Sequence, residues 1–222
     1  MAKIRLNYDL ICHEIKFDLA VLRDTFEEFF NTLPDLSSKF EKQTHEMLKG
    51  IDDEMEYRAE ASILYQQHYQ KYEEIFPDRL SYSFIISLYS SLEYNLKKIC
   101  NDIKDRRKLP FSLEVFEGDL SKKVLHFFKG FNINVIIGSD FQRIKEITLI
   151  RNNIAHNDGY VDTNEKKLIR FCKAKKGISI EANKLRISNE FCYEYQEYFL
   201  DMFRRIFNKS GYKTDYTITV IK

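Results

Sequence analysis

The sequence predicts a mainly α protein: a helical bundle with a small β-hairpin before its last helix and a long helical extension on its N-terminal side. Three observations carry this expectation. Apolar residues recur at steps of three and four through most of the 222 residues, which is the period of a helix with one buried face. Gly (7) and Pro (3) are scarce, so breaks are few and elements long. The period changes to two only between about residues 166 and 187, where a hairpin is expected.

The first stripe is Ile11, Ile15, Leu19, Leu22, Phe26, Phe29 and Leu33. Pro34-Asp35 is expected to end that helix, with Asp35 or Ser37 capping the next. A second helix is expected from about 36 to 76, weakened at Gly50, with a solvated middle of five acids and one Arg between Asp52 and Glu60. Pro77-Asp78 repeats the break signal. A third helix buries Phe84, Ile85, Leu88, Leu92, Leu96, Ile99 and Ile103 and ends in Lys104-Asp105-Arg106-Arg107-Lys108, where cations suit a C-terminus. The expected division is therefore 1–77 as extension and 78–222 as core.

Asp119 or Ser121 is expected to cap a short helix through Val124, Phe127 and Phe128. Ser139-Asp140-Phe141-Gln142 reads as a capping box for a fifth helix carrying Ile144, Ile147, Ile150 and Ile154, with Gly159 suited to a left-handed cap. Leu168-Ile169-Arg170-Phe171-Cys172, Ile178-Ser179-Ile180 and Leu185-Arg186-Ile187 read as alternating strands, with turns at Gly177 and Asn183. Ser188 caps a last helix through Phe191, Tyr195, Phe199, Phe203 and Ile206. The tail has strand-like content at Tyr216-Thr217-Ile218-Thr219-Val220.

Composition narrows the function classes. Lys+Arg (35) and Asp+Glu (34) balance to a formal +1, so a polyanion site must come from local clustering. Cys12, Cys100, Cys172 and Cys192 form no C-x-x-C pair and sit among apolar residues, which reads as buried thiols in a reducing cytoplasm. No secretory leader is expected from Met1-Ala2-Lys3-Ile4-Arg5, and no run is long enough to cross a bilayer, so no membrane partner is expected. No nucleotide-binding loop or serine-nucleophile motif occurs.

Chemistry concentrates in Arg151-Asn152-Asn153-Ile154-Ala155-His156, at the end of the fifth helix. Asn152 and His156 are four apart and share a face, whereas Arg151 and His156 are about 140° apart around an ideal helix. These residue types suit RNA cleavage without metal or cofactor. The imidazole of His156 can move the proton of the attacking 2′-hydroxyl or of the 5′ leaving oxygen. The Arg151 guanidinium can hold the developing phosphorane charge, and Asn152 can orient the imidazole or a phosphate oxygen. One His per chain does not readily serve as both acid and base, so two chains across a twofold axis would complete the site. The same spacing also suits a surface ion pair beside a helix cap.

The string Ile150 to Gly159 resembles the signature of HEPN-domain proteins, in which an Arg, a following polar residue and a His a few residues on form the R-x4-6-H motif. Ser87-Leu88-Tyr89-Ser90-Ser91-Leu92-Glu93-Tyr94-Asn95-Leu96 is similar to the earlier core helix of many such domains, and the likeness covers roughly residues 78–208. The resemblance implies a HEPN-like helical bundle that dimerises through the motif helices. It also implies metal-independent endoribonuclease activity, often in toxin–antitoxin or antiphage systems with an antitoxin or other protein partner. A non-catalytic helical dimer that binds protein or RNA is the other reading. Glu93 is a further candidate, able to pair with Arg151 or orient His156, or else to pair with Lys97 on its own helix. Lys166, Lys167, Arg170, Lys173, Lys175 and Lys176, with no acid from 166 to 180, are candidate RNA-phosphate contacts, or else solvated edge residues of the hairpin.

Overall fold

The computed structural model describes residues 3–6, 8–133, 135–214 and 218–221. It is mainly helical, with a two-stranded antiparallel hairpin before the last helix. Helix α1 (Leu10–Leu48) buries Cys12, Ile15, Leu19 and Phe26 along one stripe. That stripe packs on α3 (Phe76–Arg107) and α7 (Asn189–Ser210), with the Phe26 ring edge-on to Phe84 at 5.1 Å. Asn95 of α3 donates to Asp18 at 2.8 Å, and Arg23 pairs with Glu197 of α7 at 2.7 Å. The first half of α1, expected as part of the extension, therefore belongs to the core.

Neither Pro-Asp pair breaks the chain. Pro34 lies inside α1, and the helix continues for fourteen residues beyond it to Leu48. Its missing N–H removes one helical bond, but both flanks are held by packing. Phe26 anchors one side, and on the other Ser37 bonds His68 at 2.8 Å while Phe40 stacks on that imidazole at 5.5 Å. The reversal falls at residues 49–53. There the Asp53 carboxylate accepts from Glu56 N at 2.9 Å and opens α2 (Glu54–Tyr69). The expected helix over 36–76 is thus the far half of α1 folded back on α2. None of α2 is buried, so these two segments form a projecting arm. A π-helical turn, Gln70–Ile75, then carries α2 directly into α3. Pro77 sits in the first turn of α3, where a missing donor is harmless.

The predicted stripe of α3 is buried throughout. Helix α4 (Leu120–Gly130) starts as expected, with Asp119 accepting from Lys122 N at 3.0 Å. Helix α5 (Gly138–Asn157) starts earlier than the sequence indicates. Its box is closed by Asp140, which accepts the Ile137 N–H at 2.9 Å, and Gln142 instead donates to Glu146 at 3.1 Å. Ser188 caps α7, accepting from Phe191 N at 3.3 Å.

Lys166–Ala174 is a helix, α6, and not the first strand of a meander. Leu168 and Cys172 are its buried pair at i and i+4, so a short apolar run that also reads as alternation follows the helical period. The hairpin is confined to β2 (Ile178–Glu181) and β3 (Lys184–Ile187), paired from Ile178↔Ile187 to Glu181↔Lys184. A second antiparallel pair, β1 (Lys3–Leu6) with β4 (Ile218–Ile221), was unexpected at β1 and matches the strand-like tail at β4. Tyr216 and Thr217 of that tail lie outside the described residues. All four cysteines are free and buried. Among the described residues no helix is long and apolar enough to cross a membrane.

Candidate functional site

Helix α5 buries Ile144, Ile147, Ile150 and Ile154, which fixes its rotation and decides where the motif points. The helix ends through two left-handed residues, Asp158 (φ 52°) and Gly159 (φ 81°). Gly159 is required twice over, by its backbone and because a Cβ there would lie 2.1 Å from the Tyr82 hydroxyl. That hydroxyl donates to Leu185 O at 2.7 Å, and Leu185 N donates to Gly159 O at 2.9 Å. The exit of α5 is therefore stitched to both α3 and β3.

Asn153 completes the brace. It is buried, and its Nδ2 donates to Tyr160 O and to Glu165 Oε2, each at 2.8 Å. Asn157 donates to the other Glu165 oxygen at 3.1 Å. Asp158 forms a two-pronged ion pair with Arg79 of α3. The sequence reading passed over Asn153; the signal available was an amide between two apolar stripe residues, too common a pattern to single it out.

Asn152 and His156 stand exposed one turn apart, as four-residue spacing requires. Both line an open groove of about 480 Å³ between α5 and α6. Half-buried Leu149 contributes apolar surface above buried Leu168, and Lys166 and Lys167 line it from α6. Two cations in the first turn of a helix oppose the positive end of its dipole. Such a placement weakens α6 and is the kind of local rule-breaking expected where an anion binds.

Arg151 does not face this groove. Its guanidinium lies over the Tyr89 ring at 4.8 Å and donates to Asn152 Oδ1 at 3.0 Å. Burial raises the Tyr89 phenol above its ordinary range, and the Glu93 carboxylate pushes the same way against Arg151 and Thr148. Glu93 pairs with Lys97 at 3.0 Å and lines a separate groove with Tyr89, Leu113 and Asp119. Among the described residues its ion-pair partner is Lys97, and no ion pair or hydrogen bond joins it to His156 or Arg151. Within one chain the motif divides: Asn152 and His156 on the α6 side, Arg151 on the Tyr89 side.

The basic run divides as well. Lys166 and Lys167 face the candidate groove, whereas Lys173 lines an apolar groove between α6 and the hairpin. Lys175 is half-buried and lies 3.7 Å from Glu146. Arg170 and Lys176 are exposed on the surface. The six bases do not form one hairpin edge. Among the described residues no three His, Cys, Asp or Glu side chains converge as a metal-ligand set. Comparison of the chain with models of known protein families, with curated proteins and with solved structures finds no match.

Proposed function

We propose that this protein is a metal-independent endoribonuclease of the HEPN type that acts as a homodimer in the cytoplasm. The observation that carries the reading is the exposed His156–Asn152 edge lining an open groove together with Lys166 and Lys167. RNA would lie with a phosphate near those lysines. His156 of one chain takes the proton of the 2′-hydroxyl as its oxygen attacks phosphorus, and the bond to the 5′-oxygen breaks. The 5′-oxygen gains its proton from the second His156, leaving a 2′,3′-cyclic phosphate and a 5′-hydroxyl. Arg151 holds the phosphorane oxygens, and its divergence from His156 within one chain is the reason a second copy is invoked. A toxin or antiphage role, with an antitoxin as partner, follows from the HEPN resemblance alone.

The second reading is a non-catalytic dimer that binds a protein or RNA partner. It is favoured by Arg151 being already engaged by Asn152 and Tyr89 of its own chain. Incubating the protein with single-stranded RNA in excess EDTA separates the two. The proposal expects cyclic-phosphate ends from the wild type and none from His156→Ala. Intact RNA with the wild type supports the second reading.

A further inference from the structure

The hairpin has one edge tied down and one edge open. Ala182 (φ 46°) and Asn183 (φ 62°) make its tight turn, and at the other end Ser188 N donates to Gly177 O at 2.8 Å. Hydrogen bonding across an antiparallel pair alternates, so Gly177, Ser179 and Glu181 direct their backbone groups at β3. Ile178 and Ile180 therefore direct theirs outward. On β3 the outward groups are engaged. Leu185 N donates to Gly159 O at 2.9 Å, Leu185 O accepts from the Tyr82 hydroxyl at 2.7 Å, and Ile187 O accepts from the Ser81 hydroxyl at 2.8 Å. Among the described residues no hydrogen bond reaches the outward N–H or C=O of Ile178 or Ile180. An open edge of this kind is a template for one more strand.

The two faces of the hairpin define what that strand carries. Against α6 lies an apolar groove of about 380 Å³, walled by Val161, Ile169, Cys172 and Ile180, with Lys173 also lining it. On the other side is a groove of about 440 Å³ that holds Glu73, Glu74, Asp78, Glu181 and Arg186. Lys184 reaches Asp78 at 3.9 Å, so four carboxylates there meet two cations and negative charge is in excess. Ser179 lines both grooves, which therefore meet at β2. The strand already paired with β2 shows what these faces accept, since β3 reads Lys184-Leu185-Arg186-Ile187. Leu185 and Ile187 are buried, whereas Arg186 pairs with Asp78 and lies 3.8 Å from Glu181. A strand on the open edge meets the same two faces, so the same alternation suits it.

We infer that the outer edge of β2 is a docking site for an extended segment of a partner protein that alternates apolar side chains with Lys or Arg. The segment's backbone pairs with Ile178 and Ile180, its apolar residues enter the α6 groove, and its cations face Glu73, Glu74 and Glu181. A second copy of β2 is a poorer occupant, because its own Glu181 would join the acidic face. The inference stands apart from the ribonuclease reading, since neither Arg151 nor His156 takes part in it.

The test adds a short synthetic peptide, alternating lysine with isoleucine, to the intact chain and follows binding together with amide hydrogen exchange. Binding should slow exchange of the Ile178 and Ile180 amides by about tenfold or more, while the Ser179 and Glu181 amides, already directed at β3, change little. N-methylating either the isoleucines or the lysines blocks one backbone edge of the peptide and keeps every side chain. One of these two peptides should lose about tenfold or more in affinity and the other should still bind. Replacing the lysines by glutamate should weaken binding by a similar factor, and Glu181→Lys, at an exposed position, should reverse that preference. The N-methylated peptides leave the protein untouched, so the result does not depend on how a variant folds. No binding, no added protection at Ile178 and Ile180, retention of both N-methylated peptides, or equal binding of the lysine and glutamate peptides overturns the inference. So does protection of those two amides in the protein alone that is lost on dilution, which would place a second copy on the edge.

Discussion

The last two turns of α5 have a braced side and a bare side. On the braced side Asn153, Asp158 and Gly159 are tied to Glu165, Arg79, Tyr82 and β3 by contacts that span 12 to 79 residues of the chain. On the bare side Asn152 and His156 face solvent across an open groove. Residues one position apart thus have opposite environments. The difference teaches which parts of the motif hold structure and which stay exposed: the braced exit loop fixes the backbone that carries the imidazole, while the ring itself stands in solvent.

The comparison can be broken from either side. The largest stability effect is expected at Gly159→Ala, which combines left-handed backbone strain with a clash against a hydrogen-bonded Tyr82. A loss of about 3 kcal/mol is expected in urea unfolding. Asn153→Ala removes the ties to Tyr160 and Glu165 while relieving an unpaired oxygen. About 2 kcal/mol should be lost, with faster amide exchange across residues 158–165 as the local readout. Arg79→Ala deletes an exposed ion pair and should cost less than about 1 kcal/mol, with the loss shrinking in high salt. His156→Ala should leave stability within about 0.5 kcal/mol of wild type, because an exposed side chain is removed. A loss comparable to that of Asn153→Ala would show that the bare side is also structural.

Much of the architecture was legible because it depends on local period and local caps. The α3 and α5 stripes, the Asp119 and Ser188 caps and the Gly159 exit follow from residues within a few positions of one another. What was not legible depends on distant partners. Pro34 reads as a stop, yet packing of α1 on Phe84 at one end and on His68 at the other holds the helix through it. Asp140 rather than Ser139 sets the start of α5, and its carboxylate is fixed by Tyr198 and Arg205, 58 and 65 residues away. Residues 168–172 fit two periods, and the burial of Leu168 with Cys172 chooses the helical one.

The candidate site shows the same boundary. The separation of Arg151 from His156 followed from helix geometry alone, and the divergence is observed. The pairing of Glu93 with Lys97 was one of two open alternatives, and the i,i+4 contact is the one formed. The basic run looked continuous in sequence, but helical rotation through α6 sends Lys166 and Lys167 to one groove and Lys173 to another.

The central claim is that His156 moves the protons of a metal-free RNA cleavage. It is tested most directly by following single-stranded RNA with the wild type and with folded His156→Ala in excess EDTA. The account predicts 2′,3′-cyclic phosphate ends from the wild type and a loss of at least about 100-fold in the variant. Cleavage that needs added metal, or that persists unchanged in the variant, would contradict it.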